Sequence, residues 1–363
     1  MADYTTIDKP SDYFNTKLYT GNGTAIGSGG LAISGIGFAP SWVWLKNRTT
    51  GDRSHQVYDV IRGVTKGLKV NSSDAENTSS ERLTAFGSDG FTVGNNGDVN
   101  ESGDAHVSWN WKAGTSVSGN TTGSGTAKSY SGSVNTDASF SITTFTGNST
   151  ANHTLPHNLG VAPDWFIIKK RIGTGDSTAR DWNVYHKSLG NTKRIALNST
   201  GAVSTSNEYW NNTSPTSSVI NLGTNDQING DNNTYICYAF AEKQGYSKFG
   251  SYKGNGNANG SYIHLGFSAA FIIIKKSSNA GNNWYMWDNK RNTSNLTNKY
   301  LNPDLTSAEG TANYGYIDFL SNGFKTRATG NTDEINQSGH TFIYMAFAEQ
   351  PFVTSTGVPA TAR

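Results

Sequence analysis

The residues able to do chemistry are few and scattered. The 363-residue chain carries seven histidines (His55, His106, His153, His157, His186, His264 and His340) and a single cysteine, Cys237. Nucleophilic catalysis needs a Ser or Cys beside a base that a third group orients, yet the histidines fall in no shared motif and no Gly-x-Ser-x-Gly elbow occurs. His153 and His157 have the i, i+4 spacing of a helical metal pair, but Pro156 opposes a helix there. One cysteine excludes an internal disulfide and a Cys-based zinc site. Neither a phosphate-binding loop nor a dinucleotide fingerprint is present. Glycoside hydrolysis needs two facing carboxylates, and the acidic residues do not recur consistently: Glu242 and Glu349 match each other where an earlier copy has Ala113, and Asp59 is matched by His186 and then Asp288. These residues describe a non-enzymatic protein.

Two binding sets stand out. The loop Asn95–Asp104 is rich in oxygen ligands, and Asp98, Glu101 and Asp104 form the best Ca²⁺ candidate, since calcium takes six to eight hard oxygens. Related loops occur at Asn225–Asp231 and Asn331–Gly339. The competing and favoured explanation is β-turn geometry, for which Asn, Asp and Gly are selected. The second set is Trp210 with Tyr209, in the polar stretch Asn207–Thr213, a candidate exposed aromatic pair for stacking on a sugar. Trp42, Trp44, Trp109, Trp111, Trp182 and Trp284 lie in apolar runs, where a core role fits better. Asn-x-Ser/Thr triplets at Asn47, Asn71 and Asn148 follow from composition and imply no glycosylation. No cofactor other than the Ca²⁺ candidate is implied.

The elements that must position these residues are strands. Gly numbers 41, aromatic residues make up 12% and charged residues only 15%, which suits short strands and tight turns rather than helical bundles. The net charge of +2 with no basic block argues against a nucleic-acid surface. No apolar run approaches the roughly 18 residues of a membrane helix, and Met1–Thr6 lacks the basic and apolar regions of a secretory signal.

Internal repetition organises the chain. Tyr19-Thr-Gly-Asn-Gly returns at Phe145 and at Tyr252. An apolar run ending in lysine follows each: Gly37–Lys46, Gly160–Lys169 and Gly266–Lys275. Then come His55–Asp59, Trp182–His186 and Trp284–Asp288, and finally His106–Trp111, Tyr235–Phe240 and Phe342–Phe347. The expected architecture is all-β: three tandem β-sandwich repeats, jelly-roll or concanavalin-like, with a short N-terminal arm and an extended C-terminal tail. The expected boundaries are 1–18 for the arm, 19–114, 140–245 and 246–349 for the repeats, 115–139 for a Ser/Gly/Thr-rich connector and 350–363 for the tail. Lys128–Val134 alternates well enough for an extra edge strand. The short second joint, Lys243–Ser251, should hold repeats two and three more rigidly than one and two, and both termini should be exposed unless something pins them.

The motifs Tyr19–Gly23, Gly37–Arg48, Tyr58–Gly63 and Ser88–Gly94, with the ending Met345–Val353, Gly357-Val-Pro and Arg363, resemble a β-rich repeat of virion structural proteins of tailed bacteriophages, especially aquatic ones. The third copy departs in having Ala269-Ala270 for the Pro-Trp pair, and the second lacks a clear Gly-Phe before its last hairpin. The resemblance implies a particle component located in the virion, with other virion proteins as partners and no catalytic residues. Two roles follow: a tail-associated, fibre-like or receptor-binding protein, a homotrimer contacting host surface glycans, or a capsid decoration or head-fibre protein that binds the major capsid shell.

Overall fold

A computed structural model describes residues 4–172, 181–311, 315–328 and 334–361. It is all-β, with strands gathered into several sheets and only single-turn helices. Four strands in each third of the chain come from the four recurring sequence landmarks. The opening strands are Phe14–Thr20, Phe140–Thr146 and Ser247–Lys253; the lysine strands are Trp42–Asn47, Trp165–Ile172 and Phe267–Lys276. The third strands are Gln56–Asp59, Trp182–His186 and Trp284–Asp288, and the closing strands are Ala105–Trp111, Thr234–Phe240 and Thr341–Pro351. In all three sheets the spatial order is opening, closing, lysine, third, and every pair is antiparallel. The register agrees too. Trp42 faces Trp111 and Asp59, Trp165 faces Phe240 and His186, and Phe271 faces Phe347 and Asp288.

Each large sheet is backed by a three-stranded sheet, ordered Leu31–Ser34, Gly90–Val93, Leu83–Gly87 in the first segment. The second uses Thr122–Gly123, His153–Pro156 and Val219–Leu222, and the third Tyr262–His264, Gly323–Thr326 and Ile317–Leu320. Between large and small sheet lies a private core, such as Val43, Leu45 and Tyr58 against Ile33, Leu83, Phe91 and Val93. Parallel sets fill the second and third segments.

The other face of all three large sheets points into one common core. Successive strand residues face opposite ways, so the lysine strands alternate between the two cores. Trp42 and Trp44, Trp165 and Ile167, and Phe271 and Ile273 face the common core, while Val43 and Leu45, Phe166 and Ile168, and Ile272 and Ile274 face private ones. Burial on both faces is why these runs are continuously apolar. At the centre, equivalent rings of the three closing strands meet: Trp111 lies 5.6 Å from Phe347 and 6.4 Å from Phe240, and those two are 5.7 Å apart. Phe14 packs on Phe271, Trp42 stacks on Tyr238 at 4.5 Å, and Trp165 packs on Trp284, so every pair of segments is joined by rings.

The common core corrects the expectation that the segments are coupled unequally. The sheet of the second segment also takes in most of the stretch read as a connector. Ser129–Asn135 forms the expected extra strand against Phe140–Thr146, but it is not the edge, because Thr115–Asn120 pairs outside it. The N-terminal arm is pinned: Tyr4 Oη donates to the Gly266 carbonyl at 2.7 Å, Thr5 Oγ1 to that of Gln244 at 2.8 Å, and Asp8 accepts from Ser355. Pro10–Asp12 forms a 3₁₀ turn with no side-chain cap. Phe352 rests edge-on against the Tyr4 ring.

A core common to three segments leaves no segment able to unfold alone at low cost. Phe347→Ala should therefore lower stability by about 3–5 kcal/mol, and probes placed in each segment should report one coincident unfolding transition. Separate midpoints for the three segments in urea would contradict this.

Candidate functional site

The chain concentrates its buried polar chemistry where segments meet. The last residue of each third strand reaches the closing strand of another segment. Asp59 Oδ2 accepts from Tyr238 Oη at 2.6 Å, Asp288 Oδ2 from Trp109 Nε1 at 3.0 Å, and His186 Nε2 lies 3.2 Å from the Tyr344 carbonyl. The contacts run from the first segment to the second, the second to the third and the third to the first, closing a ring. Tyr238 and Trp109 offer a donor, and an aspartate meets them. The matching residue in the third closing strand is Met345, which offers none, and there the aspartate is replaced by His186, which turns to a backbone carbonyl instead. Burial lowers the His186 pKa to about 4, so the ring is neutral.

The aspartates are held by arginines three residues on. Arg62 Nε pairs with Asp59 at 2.5 Å and Arg291 Nε with Asp288 at 2.6 Å, all four side chains being fully buried. Each arginine also reaches a glutamate, Glu76 at 3.1 Å and Glu309 at 3.2 Å. Those glutamates receive a two-pronged arginine from the next segment: Arg171 grips Glu76 at 2.9 Å through both contacts, and Arg48 grips Glu309 at 2.8 and 2.9 Å. Such forked pairs are the geometrically specific kind. Burial opposes ionisation of Glu76, but the hydrogen bonds and charges of Arg171 and Arg62 hold its pKa below the usual value. The seam between the second and third segments uses the same backbone bond, Val203 N to the Ser277 carbonyl, alongside Glu76 N to Arg171 and Glu309 N to Arg48. There Leu189 and Val203 stand for Arg and Glu, and pack against the common core.

The lysine that ends each apolar run, Lys46, Lys169 or Lys275, lies on the same inward face and crosses the same seams. Lys46 Nζ donates to the Thr306 carbonyl at 3.0 Å, Lys169 to that of Ser72 at 3.4 Å, and Lys275 to that of Ser199 at 3.3 Å. Burial lowers their pKa values to about 8, about 7 and about 8. Indole donors cross as well, Trp182 Nε1 to the Lys69 carbonyl and Trp284 Nε1 to that of Ala196, each at 2.9 Å.

The residues singled out from sequence go elsewhere. Trp210 and Tyr209 are not exposed: they are 1% and 5% accessible, Trp210 Nε1 donates to the Lys193 carbonyl, and its ring meets Phe166 and Tyr185. The polar neighbours form a one-turn helix, Asn207–Trp210, that turns both rings inward. Asp98, Glu101 and Asp104 do not converge. Asp98 accepts from Ser54 N, Gln56 and Arg82, Glu101 pairs with Arg53, and Asp104 accepts from Asn47 and Thr50. Their oxygens are already occupied by separate donors, and among the described residues no three His, Cys, Asp or Glu side chains are arranged to hold a metal. His153 and His157 lie on and beside a strand, both buried.

The Asx-rich loops serve geometry. Asn100, Asn229 and Asn336, fully buried, accept from the backbone N–H of Asn22, Asn148 and Asn255. This explains the first sequence landmark. A Cβ on Gly21, Gly147 or Gly254 would fall 2.1, 2.4 or 2.3 Å from a carbonyl oxygen of the facing loop, so only glycine lets the two loops close. Asn331–Asp333 of the third loop lie outside the described residues, as does Arg363.

These features define an all-β scaffold whose buried charges serve its own assembly. The chain belongs to the family described as a domain of unknown function, DUF7483, whose model matches residues 9–351 as one domain. No curated protein and no solved structure gives a significant match.

Two outcomes follow. Glu76→Val alone leaves Arg171 without its carboxylate and Arg62 with Asp59 alone, and should cost about 3–5 kcal/mol. Adding Arg62→Leu and Arg171→Ser together with Asp59→His and Tyr238→Met, so that no buried carboxylate is stranded, copies the seam of His186, Leu189, Val203, Ser277 and Met345 and should recover much of that loss in denaturant titrations. The lysines give a pH signature. Their folded pKa values lie below the unfolded value, so the unfolded chain binds more protons between about pH 7 and 10, and stability should rise across that window. Lys169→Met should flatten the rise, read from urea midpoints at each pH.

Proposed function

We propose that this protein is a non-enzymatic structural component of a tailed-phage virion, built as three tandem β-sandwich repeats and ending in a short extended tail. The best reading is a tail-associated, receptor-binding part that offers loops to host surface glycans. The observation that carries it is the ring of matched contacts among three equivalent segments. Buried arginines, aspartates and lysines lock the segments to one another, which suits a body that must bear load without moving. The family resemblance in Tyr19–Gly23, Gly37–Arg48 and the ending Met345–Val353 supplies the setting.

A second reading, a capsid decoration or head-fibre protein bound to the major capsid shell, is favoured by the closed ring, which is a compact knob rather than a string of beads. Copy number separates the two. Quantitative mass spectrometry of purified virions should find few copies relative to the major capsid protein if the tail reading holds. Near-equal numbers would support decoration, and absence from the particle would remove both.

A further inference from the structure

We infer that the strand Thr115–Asn120 is a pairing edge through which two copies of this chain join their second-segment sheets. The strand is the outermost of an eight-stranded sheet and belongs to an extension that the other two large sheets do not have. Apart from half-buried Val117, every residue in it is exposed. Thr121 N donates to the Lys128 carbonyl at 2.7 Å, which fixes the hydrogen-bonding phase of the hairpin. Bonds in an antiparallel pair alternate. The groups of Thr115, Val117 and Gly119 therefore face Ser129–Asn135, and those of Ser116, Ser118 and Asn120 face outward.

Natural sheets guard such edges with lysine, proline or a bulge. The opening strands, which end the other two large sheets, carry Lys17 in one and Lys248 and Lys253 in the other. The sequence Thr-Ser-Val-Ser-Gly-Asn carries none of these guards, and its pairing with Ser129–Asn135 is regular throughout. An edge left open in one sheet of a molecule that guards the equivalent edges of its others is built to be paired.

The occupant that fits is a second copy. Antiparallel self-pairing about a twofold axis closes on itself and adds no further open edge. With the axis at Ser118, that residue faces Ser118 of the second copy, Ser116 faces Asn120, and Val117 faces Gly119. All of these are uncharged, so no like charges are opposed. At Gly119 the Tyr130 ring covers the place of the missing side chain, its Cε1 lying 3.1 Å from where a Cβ would stand, and it offers that ring as the surface for a neighbour's Val117.

The inference does not rest on the virion reading, and it is tested on the purified full-length chain. Sedimentation velocity should show a concentration-dependent dimer. Ser118→Pro removes an outward donor at the axis and no internal bond, so it should abolish the dimer while leaving unchanged the melting temperature read at concentrations too low for dimer to form. Under oxidation Ser118→Cys should give a disulfide-linked dimer, whereas Ser116→Cys, which faces Asn120, should not; Cys237 is buried and does not compete. A wild-type chain that stays monomeric at every soluble concentration would overturn the inference. So would a dimer that survives Ser118→Pro, or equal cross-linking from both cysteines.

Discussion

Everything in this molecule depends on the meeting of Trp111, Phe240 and Phe347. Each closing strand lies between its opening and lysine strands, paired on both sides, so its inward side chains cannot swing away. A ring of this size buries roughly 150–250 Å², about 4–6 kcal/mol of gross transfer free energy at the usual coefficient of ~25 cal/mol per Å². Placing three of them at one point fixes the orientation of three sheets at once. The outer half of each segment is then free to differ, as the hairpin added to the second sheet and the long loop before Ile317 in the third both show.

Around that centre the polar contacts decide which neighbour goes where. An aspartate–arginine–glutamate cluster buried without partners would cost far more than it returns, and a buried ion pair is in general weak evidence for stability. Here the clusters are completed only by groups from the adjoining segment: Tyr238 and Arg171 for Asp59 and Glu76, Trp109 and Arg48 for Asp288 and Glu309. The third seam does the same geometric job with Leu189, Val203 and a neutral histidine. Unlike seams discourage misassembly, since a segment docked in the wrong order would bury a charge against Met345 or leave Arg171 unmatched.

Much of this was legible in the sequence. The four landmarks marked the strands, their succession along each repeat and the core role of the tryptophans, because apolar runs and turn residues are local signals; which strand lies beside which in the sheet was not legible. What the sequence concealed were relations between repeats. Asp59, His186 and Asp288 looked inconsistent as an active-site set, and their variation makes sense only against Tyr238, Met345 and Trp109, residues of another repeat. Trp210 looked exposed because its neighbours are polar, yet a single helical turn was enough to face it inward. Asp98, Glu101 and Asp104 looked like ligands because composition does not record that Ser54, Gln56, Arg82, Arg53, Asn47 and Thr50 already bind them.

The order of Trp111, Phe240 and Phe347 along the chain has a consequence for biosynthesis. During translation Trp111 and Phe240 leave the ribosome before Phe347, the third ring of the centre, exists. The aromatic centre therefore stays incomplete until the strand Thr341–Pro351 has been made and can fold in.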